Sequence, residues 1–410
     1  MSSHAENMGV DGELQNCPIM PTYAAPNIMF IRGEGTELWD SEGKRYLDFV
    51  GGLAVQSLGH ANPEIAEVIG EQAGKLTQVS NYWATEHAHH VAIEIDKAVT
   101  GNINDPSSSP YNPIGQVFFC NSGAEANELA FKIARKATSK SKYTVITATD
   151  SFHGRTLAAL AACGQPHKHE PFAPMPQGFR HVERGDIEAL NDAIDETTAA
   201  IHLEPILGEG GVWPHTSEYL LKAQELSRDR GLLFMVDEVQ SGLCRTGKWF
   251  AFQHHGLNPD VVCIAKALGN GFPIGAVWVK RELAASFEAG DHGSTYGGNP
   301  LGTAVARKVL EIMKRDSCNT MALLIEDKIR TSMTELPQVV SIRGNGAMLA
   351  IELDKAISRE VAAKASINGL LINPITPTAL RLTPPLTTSD DQIEEGIEIL
   401  KGILNAQTSS

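Results

Sequence analysis

From residue 116 to about 280 the chain alternates short apolar runs with segments of helical period. The runs at 116–120, 143–147, 199–203, 232–236, 261–264 and 275–279 are rich in aliphatic and aromatic residues and too short for buried helices, so they predict strands. Between them, 125–137 and 217–230 carry apolar residues at helical spacing, the second closed by Gly231. Apolar strands alternating with helices predict an α/β fold: a mostly parallel sheet covered on both faces.

The pattern differs on either side of this block. Residues 1–20 are polar and irregular and read as an arm. Glu37–Asp40 and Arg45–Phe49, around Ser41-Glu42-Gly43-Lys44, predict a hairpin with a glycine turn. Residues 101–115, dense in Pro, Ser and Asn, read as a loop. Beyond 300 the order becomes helices at 301–315 and 321–335, short strands at 339–343, 347–353 and 380–383, and a helix at 389–403. The expected division is an N-terminal arm and small-domain segment over 1–60, a large domain over 61–298, and a smaller α+β domain over 299–410.

Composition narrows the function classes. A formal net charge of −15 over 410 residues argues against nucleic acid as a main partner, because phosphate neutralisation needs a basic surface. Six cysteines are scattered with no C-x-x-C pair, which fits neither a disulfide framework nor a zinc ribbon and predicts a reducing compartment. The first fifteen residues lack Lys, Arg and an apolar core, so no signal peptide is expected. No stretch is apolar enough to span a bilayer. A cytoplasmic protein is the expectation.

Chemistry gathers where the strands end. Val261–Ile264 leads through Ala265 to Lys266, then Gly269 and Gly271; Leu232–Val236 leads to Asp237-Glu238. An amine and a carboxylate at two strand ends suit pyridoxal-phosphate chemistry, which needs one Schiff-base amine and one carboxylate for the pyridine nitrogen. A structural ion pair is the alternative. Asn121-Ser122-Gly123-Ala124 turns a strand into an amphipathic helix, whose free N–H groups suit a phosphate or an ordinary N-cap. Phe152 and Arg155 follow the next strand; the ring can stack on a flat ligand or pack in the core, and the guanidinium can hold a carboxylate or a surface ion pair. Glu204 and Glu209 flank a glycine-rich turn, and Asp291–Pro300 is a hydroxyl-bearing glycine loop that suits either a phosphate or a linker. Gly269–Gly275 has the wrong spacing for a dinucleotide fingerprint, and Pro273 stands where its helix would open. His87, His89 and His90, like His167 and His169, lack a carboxylate partner pattern, so no metal site is expected.

In order along the chain, Asn121-Ser-Gly-Ala-Glu-Ala-Asn-Glu128, Phe152-His-Gly-Arg-Thr156, Glu204-Pro through Gly211, Asp237-Glu-Val-Gln-Ser-Gly242, Ala265-Lys-Ala-Leu-Gly269 and His292-Gly-Ser-Thr-Tyr-Gly-Gly-Asn-Pro300 resemble the motifs of the class III pyridoxal-phosphate-dependent aminotransferases. The similarity runs from about residue 20 to 403. It implies fold type I, with pyridoxal 5'-phosphate held on Lys266. Asp237 would pair with the pyridine nitrogen, Val239 and Phe152 would flank the ring, and Gln240 would reach the 3-oxygen, with Glu238 counted in the cofactor segment. Ser122, Gly123 and Ala124 would take the phosphate, with Thr295 supplied by the second subunit of a homodimer.

For substrates, the resemblance implies Arg155 and Ser294 at the distal carboxylate and Arg381, neutralised by Glu209, at the α-carboxylate of glutamate. The expected reaction moves the δ-amino group of N2-acetylornithine to 2-oxoglutarate; succinylornithine, ornithine or 4-aminobutyrate donors, and a semialdehyde aminomutase, are the alternatives. A cofactor-sensing regulator would need a basic DNA-binding module, which the twenty residues before the fold do not supply. Leu207 stands where the family usually has glutamine, Tyr82-Trp83 is bulkier than usual, and both are expected to affect the substrate pocket.

Overall fold

In the computed structural model the described residues are 19–24, 26–103 and 112–406, so the 101–115 loop lies mostly outside them. Near the N-terminus, β1 (Phe30–Glu34), β2 (Glu37–Asp40) and β3 (Arg45–Asp48) form an antiparallel set, and the expected hairpin is its β2–β3 half. The central sheet contains β4 (Gly115–Cys120), β5 (Thr144–Ala148), β6 (Phe179–Val182) and β7 (Thr198–Leu203). A short hairpin, β8 (Ile206–Leu207) and β9 (Trp213–Pro214), follows. The sheet is completed by β10 (Leu233–Asp237), β11 (Val261–Ile264) and β12 (Gly275–Lys280).

Its order is β4-β12-β11-β10-β7-β5-β6, and only β12 runs against the rest. The six predicted strands therefore fall on observed ones within about a residue. The edge strand β6 was not expected, because Phe179-Arg180-His181-Val182 is half polar and carries little apolar signal. The helices Pro63–Lys75 and Glu86–Val99 were not expected either; they pack on Pro300–Arg315.

The C-terminal part holds β13 (Val339–Asn345), β14 (Met348–Leu353), β15 (Leu370–Leu371), β16 (Asn373–Pro374) and β17 (Ala379–Leu382). The sheet order here is β13-β14-β17-β16, while β15 pairs with β3 in parallel and joins the chain's beginning to its end. Strand β17 carries Arg381 on a fully buried stretch. The core is continuous through both parts, from Ile146 and Val236 to Leu349 and Leu400.

This topology positions the site. Strands β4, β5, β7, β10 and β11 all point their carboxyl ends to one edge, and ligands of open α/β sheets bind outside that edge. The segments leaving these ends carry Ser122, Phe152, Glu204, Asp237 and Lys266.

Candidate active site

A cavity of about 400 Å³ opens at that edge. Its lining includes Ser122, Gly123, Ala124, Phe152, Arg155, Glu204, Glu209, Asp237, Val239, Gln240 and Lys266. Eleven residues spread over more than 140 positions of sequence thus share one hollow; all eleven are singled out in the sequence, and ten of them, Glu204 excepted, carry an expected role.

Lys266 follows β11 and adopts φ +47°, a left-handed conformation rare for a residue with a side chain and frequent where function fixes the backbone. It is half-buried, with its amine lowered to about 8, chiefly by burial, while Glu209 pulls it up and Arg381 pushes it down. A lysine in that state holds a substantial fraction of neutral, nucleophilic amine near neutral pH.

Asp237 ends β10 and is sealed at 4% exposure. Its Oδ2 accepts hydrogen bonds from Asn127 Nδ2 and His153 Nδ1, each at 2.8 Å, and its Oδ1 accepts from the Val239 N–H at 3.0 Å. Burial works to raise this carboxyl, but the His153 contact and charge win and hold it below the ordinary range. Behind it, Asn127 Oδ1 meets His202 Nε2 at 2.8 Å, and burial lowers His202 to about 3, so that ring is neutral. The ligand atoms of His153, His202 and Asp237 lie within 4.8 Å of one another. Because Asp237 Oδ2 and His202 Nε2 are already hydrogen-bonded as described, the group reads as a hydrogen-bonded chain that braces one carboxylate.

The helix Gly123–Lys136 begins at the cavity. Ser122 caps it by accepting from the Glu125 N–H at 3.2 Å, and Leu129, Ile133 and Ala134 bury the opposite face. The N–H groups of Gly123 and Ala124 fall in the first turn, where no intrahelical acceptor exists, at the positive end of the dipole. A Cβ on Gly123 would stand 2.7 Å from Val239 Cγ1, so only glycine lets this turn approach the Asp237 segment. Glu204, unassigned in the motif reading, accepts from the Phe152 N–H at 2.9 Å and the Gly208 N–H at 3.1 Å, and burial raises it to about 7.

Arg381 is only 1% exposed. Its Nη1 donates to Glu209 Oε1 at 2.6 Å, to Gly208 O at 3.2 Å and to Gln240 Oε1 at 3.3 Å. Among the described residues its Nε and Nη2 have no hydrogen-bond partner. Such orphaned donors in a buried guanidinium are costly and mark a place for a second acceptor, with carboxylate as the matching shape. Arg155 is exposed at the cavity, its guanidinium 5.5 Å from the Phe152 ring centre, and makes no ion pair among the described residues.

Two expectations are corrected, those for Glu238 and Leu207. Glu238 does not face the cavity: the strand's alternation turns it the other way, where its carboxyl accepts from Ser241 Oγ at 2.6 Å and the Phe252 N–H at 2.7 Å. Leu207 is buried in the main apolar core and does not line the cavity, so it cannot reshape the pocket directly. Within one chain Ser294 and Thr295 belong to a different cavity of about 1020 Å³, shared with Tyr82 and Trp83. Asn127, His153 and His202 were missed as a functional group. The available signal was His202, a lone polar residue in the apolar run Ala199–Leu203, which a buried strand tolerates only with a partner.

The cavity residues fit pyridoxal phosphate: a nucleophilic lysine, a sealed carboxylate, a helix start for a phosphate, and a ring and a valine to flank a flat group. Comparison with known proteins agrees. The family model for class-III aminotransferases matches residues 20–404. The chain is 43% identical to the acetylornithine aminotransferase of Caldanaerobacter subterraneus, over 94% of this chain and 97% of that one, and 42% identical to that of Methanothermobacter thermautotrophicus, over 96% and 98%. Among solved structures, the ornithine aminotransferase of Toxoplasma gondii, described with PLP in partial occupancy at its active site, superposes with a TM-score of 0.87 at 31% identity, covering 96% of this chain and 93% of that one. The N-acetylornithine aminotransferase of Stenotrophomonas maltophilia gives 0.79 at 32% identity, covering 94% and 98%. This chain belongs to the class-III aminotransferases.

Proposed function

We propose that this enzyme transfers the δ-amino group of N2-acetylornithine to 2-oxoglutarate, giving N-acetylglutamate 5-semialdehyde and glutamate, a step of arginine synthesis. The observation that carries the reading is the Glu209–Arg381 pair beside Lys266. A pocket that handles both a terminal amine and glutamate must accept a reacting carbon without a carboxylate in one half-reaction and with one in the other. With acetylornithine, Glu209 stays on Arg381 and the site presents no unpaired cation to the apolar substrate chain. With 2-oxoglutarate, Glu209 withdraws and the substrate carboxylate takes its place on Nη1 and the orphaned Nη2.

Pyridoxal phosphate, when bound, supplies the electron sink that stabilises the substrate carbanion. Lys266 would hold it covalently and carry the proton to and from the substrate carbon. Asp237 would keep the ring nitrogen protonated, braced by His153 and Asn127. Ser122, Gly123 and Ala124 would bind the phosphate, Phe152 and Val239 would confine the ring, and Gln240, which already meets Arg381 and Glu209, would adjoin the 3-oxygen. Arg155, exposed and without an ion pair among the described residues, would hold the distal carboxylate in both halves.

In this reading the working unit is a cytoplasmic homodimer, with Thr295 of one subunit reaching the other's phosphate and Ser294 the distal carboxylate. The support is the second cavity, which carries both residues and exposes Tyr82 and Trp83 by 89% and 65%, with Tyr296, next to Thr295 in the chain, 64% exposed. No described helix is long and apolar enough to cross a membrane. The same reading keeps 61–298 as the large cofactor-binding domain, with 1–60 and 299–410 contributing the small one; β3–β15 pairing supports that grouping.

A panel of amine donors with 2-oxoglutarate, followed by glutamate formation, tests the assignment. N2-acetylornithine should give the highest kcat/KM, and Lys266→Ala should abolish turnover of every donor. Preference for 4-aminobutyrate or ornithine would move the enzyme elsewhere in its family, and turnover without an amino acceptor would make it a mutase.

A further inference from the structure

The Glu209 turn should be loose by composition, since Gly208, Gly210 and Gly211 surround the carboxylate and glycine leaves the backbone its greatest freedom. Yet the turn is held in a demanding conformation. Gly211 takes φ +106°, and Val212, a β-branched residue, takes φ +53°. Such strain persists only where the surroundings over-determine it.

The surroundings centre on Trp213, the residue just beyond the turn. The guanidinium carbon of Arg184 stands 4.5 Å from its ring centre and that of Arg343 stands 4.0 Å away. Arg184 follows β6 of the central sheet and pairs with Asp150 at 3.0 Å. Arg343 lies on β13 of the C-terminal sheet, pairs with Glu352 at 2.6 Å, and donates from Nε to Gly211 O at 2.9 Å. Val212 packs with Ile206 of the β8–β9 hairpin and with Met348 and Ala350 of β14 in a small apolar cluster. The turn is therefore fastened to both parts at its last residues, while Glu209 itself is held through its carboxylate, by Arg381 at 2.6 Å and Gln240 at 3.4 Å.

We propose that Trp213, clamped by Arg184 and Arg343, is the positioning residue that fixes the Glu209 turn at the distance from which Glu209 reaches Arg381. This rests on the switch described under the proposed function. With the clamp intact, Glu209 opens and closes as a side chain over a stationary backbone. Without it, the glycine-rich backbone gains freedom, and the closed Glu209–Arg381 pair loses more than the open state does. The amine-donor half-reaction, which needs the closed pair, is the one that suffers.

The test uses the holoenzyme and single turnovers of each half-reaction. Trp213→Leu keeps apolar bulk without a ring face; its apparent dissociation constant for N2-acetylornithine should rise about tenfold, the scale of losing two cation–π contacts. The constant for glutamate and both limiting rates should stay within about twofold, and Trp213→Phe, which keeps a ring, should recover most of the loss. Hydrogen exchange over residues 206–213 should quicken in the leucine variant. If that variant does not fold, Arg343→Lys keeps the charge but loses the planar cover and the Gly211 contact, and should show the same one-sided loss. Equal losses in both halves, or none in either, overturn the clamp. Glu209→Ala separates the two ideas: a one-sided loss there with none in Trp213→Leu overturns the clamp alone, whereas no one-sided loss in Glu209→Ala overturns the switch itself.

Discussion

Two carboxylates border the same cavity and are built in opposite ways. Asp237 ends a central strand, is sealed from solvent, and accepts from three donors on the strand segment, a helix and a neighbouring loop. Glu209 sits on a glycine-flanked turn with a quarter of its side chain exposed, and its main partner is one guanidinium. Both are held below the ordinary carboxylate range against burial, Asp237 by His153 and Glu209 by Arg381. The difference lies in what release would cost. Removing Asp237 from its donors strands two buried side chains and a half-buried N–H, whereas in the proposed mechanism Glu209 turns toward solvent when a substrate carboxylate replaces it on Arg381. In the proposed mechanism the charge needed in both half-reactions is fixed to the sheet, and the charge needed in only one is placed on a turn.

The contrast can be broken at several points. Asp237→Ala should lower the rates of both half-reactions alike by up to ~10³-fold, the scale of losing a preorganised electrostatic partner, and should cost about 1–3 kcal/mol in stability for the donors left unpaired. Unequal losses would place Asp237 in substrate selection. Arg381→Ala should slow the glutamate half by roughly 10²-fold and the amine-donor half much less, measured as separate single turnovers. An equal loss would make Arg381 a structural member of the core.

A smaller effect sharpens the same point. Glu238, next to Asp237 but facing away, is raised to about 7 by burial and hydrogen-bonded to Ser241 and Phe252. Its folded value lies above its unfolded one, so its contribution is fully present below about 4.5 and fades as pH rises through about 7. Glu238→Gln, which does not titrate, should gain on the wild type between pH 5 and 8, by up to ~3 kcal/mol in denaturant unfolding of the cofactor-free protein. A difference that stays constant with pH would show that Glu238 is charged in the fold.

Much of this is legible in the sequence. The six strands are marked by mostly apolar runs, and parallel topology brings strand ends together whatever the loops do, so Lys266, Asp237, Ser122 and Phe152 share one sheet edge because their strands stop just before them. What stayed hidden depends on direction rather than position. Glu238 and Asp237 are adjacent in sequence, and only the strand's pleat decides which one faces the cavity. The bracing by Asn127 and His202 joins a helix to a strand far along the chain, and no local pattern records that pairing. The helices Pro63–Lys75 and Glu86–Val99 escaped because their apolar faces are narrow and interrupted by Glu, Gln and His.

The central claim is that one pocket serves two unlike substrates because Glu209 alternates on Arg381. The most direct measurement is Glu209→Ala studied one half-reaction at a time, with N2-acetylornithine and with glutamate as separate single-turnover donors. We expect the acetylornithine half to weaken by about tenfold or more, since Arg381 is left as an uncompensated buried cation facing an apolar chain, while the glutamate half changes by less than about twofold. Equal losses in the two halves would contradict the account.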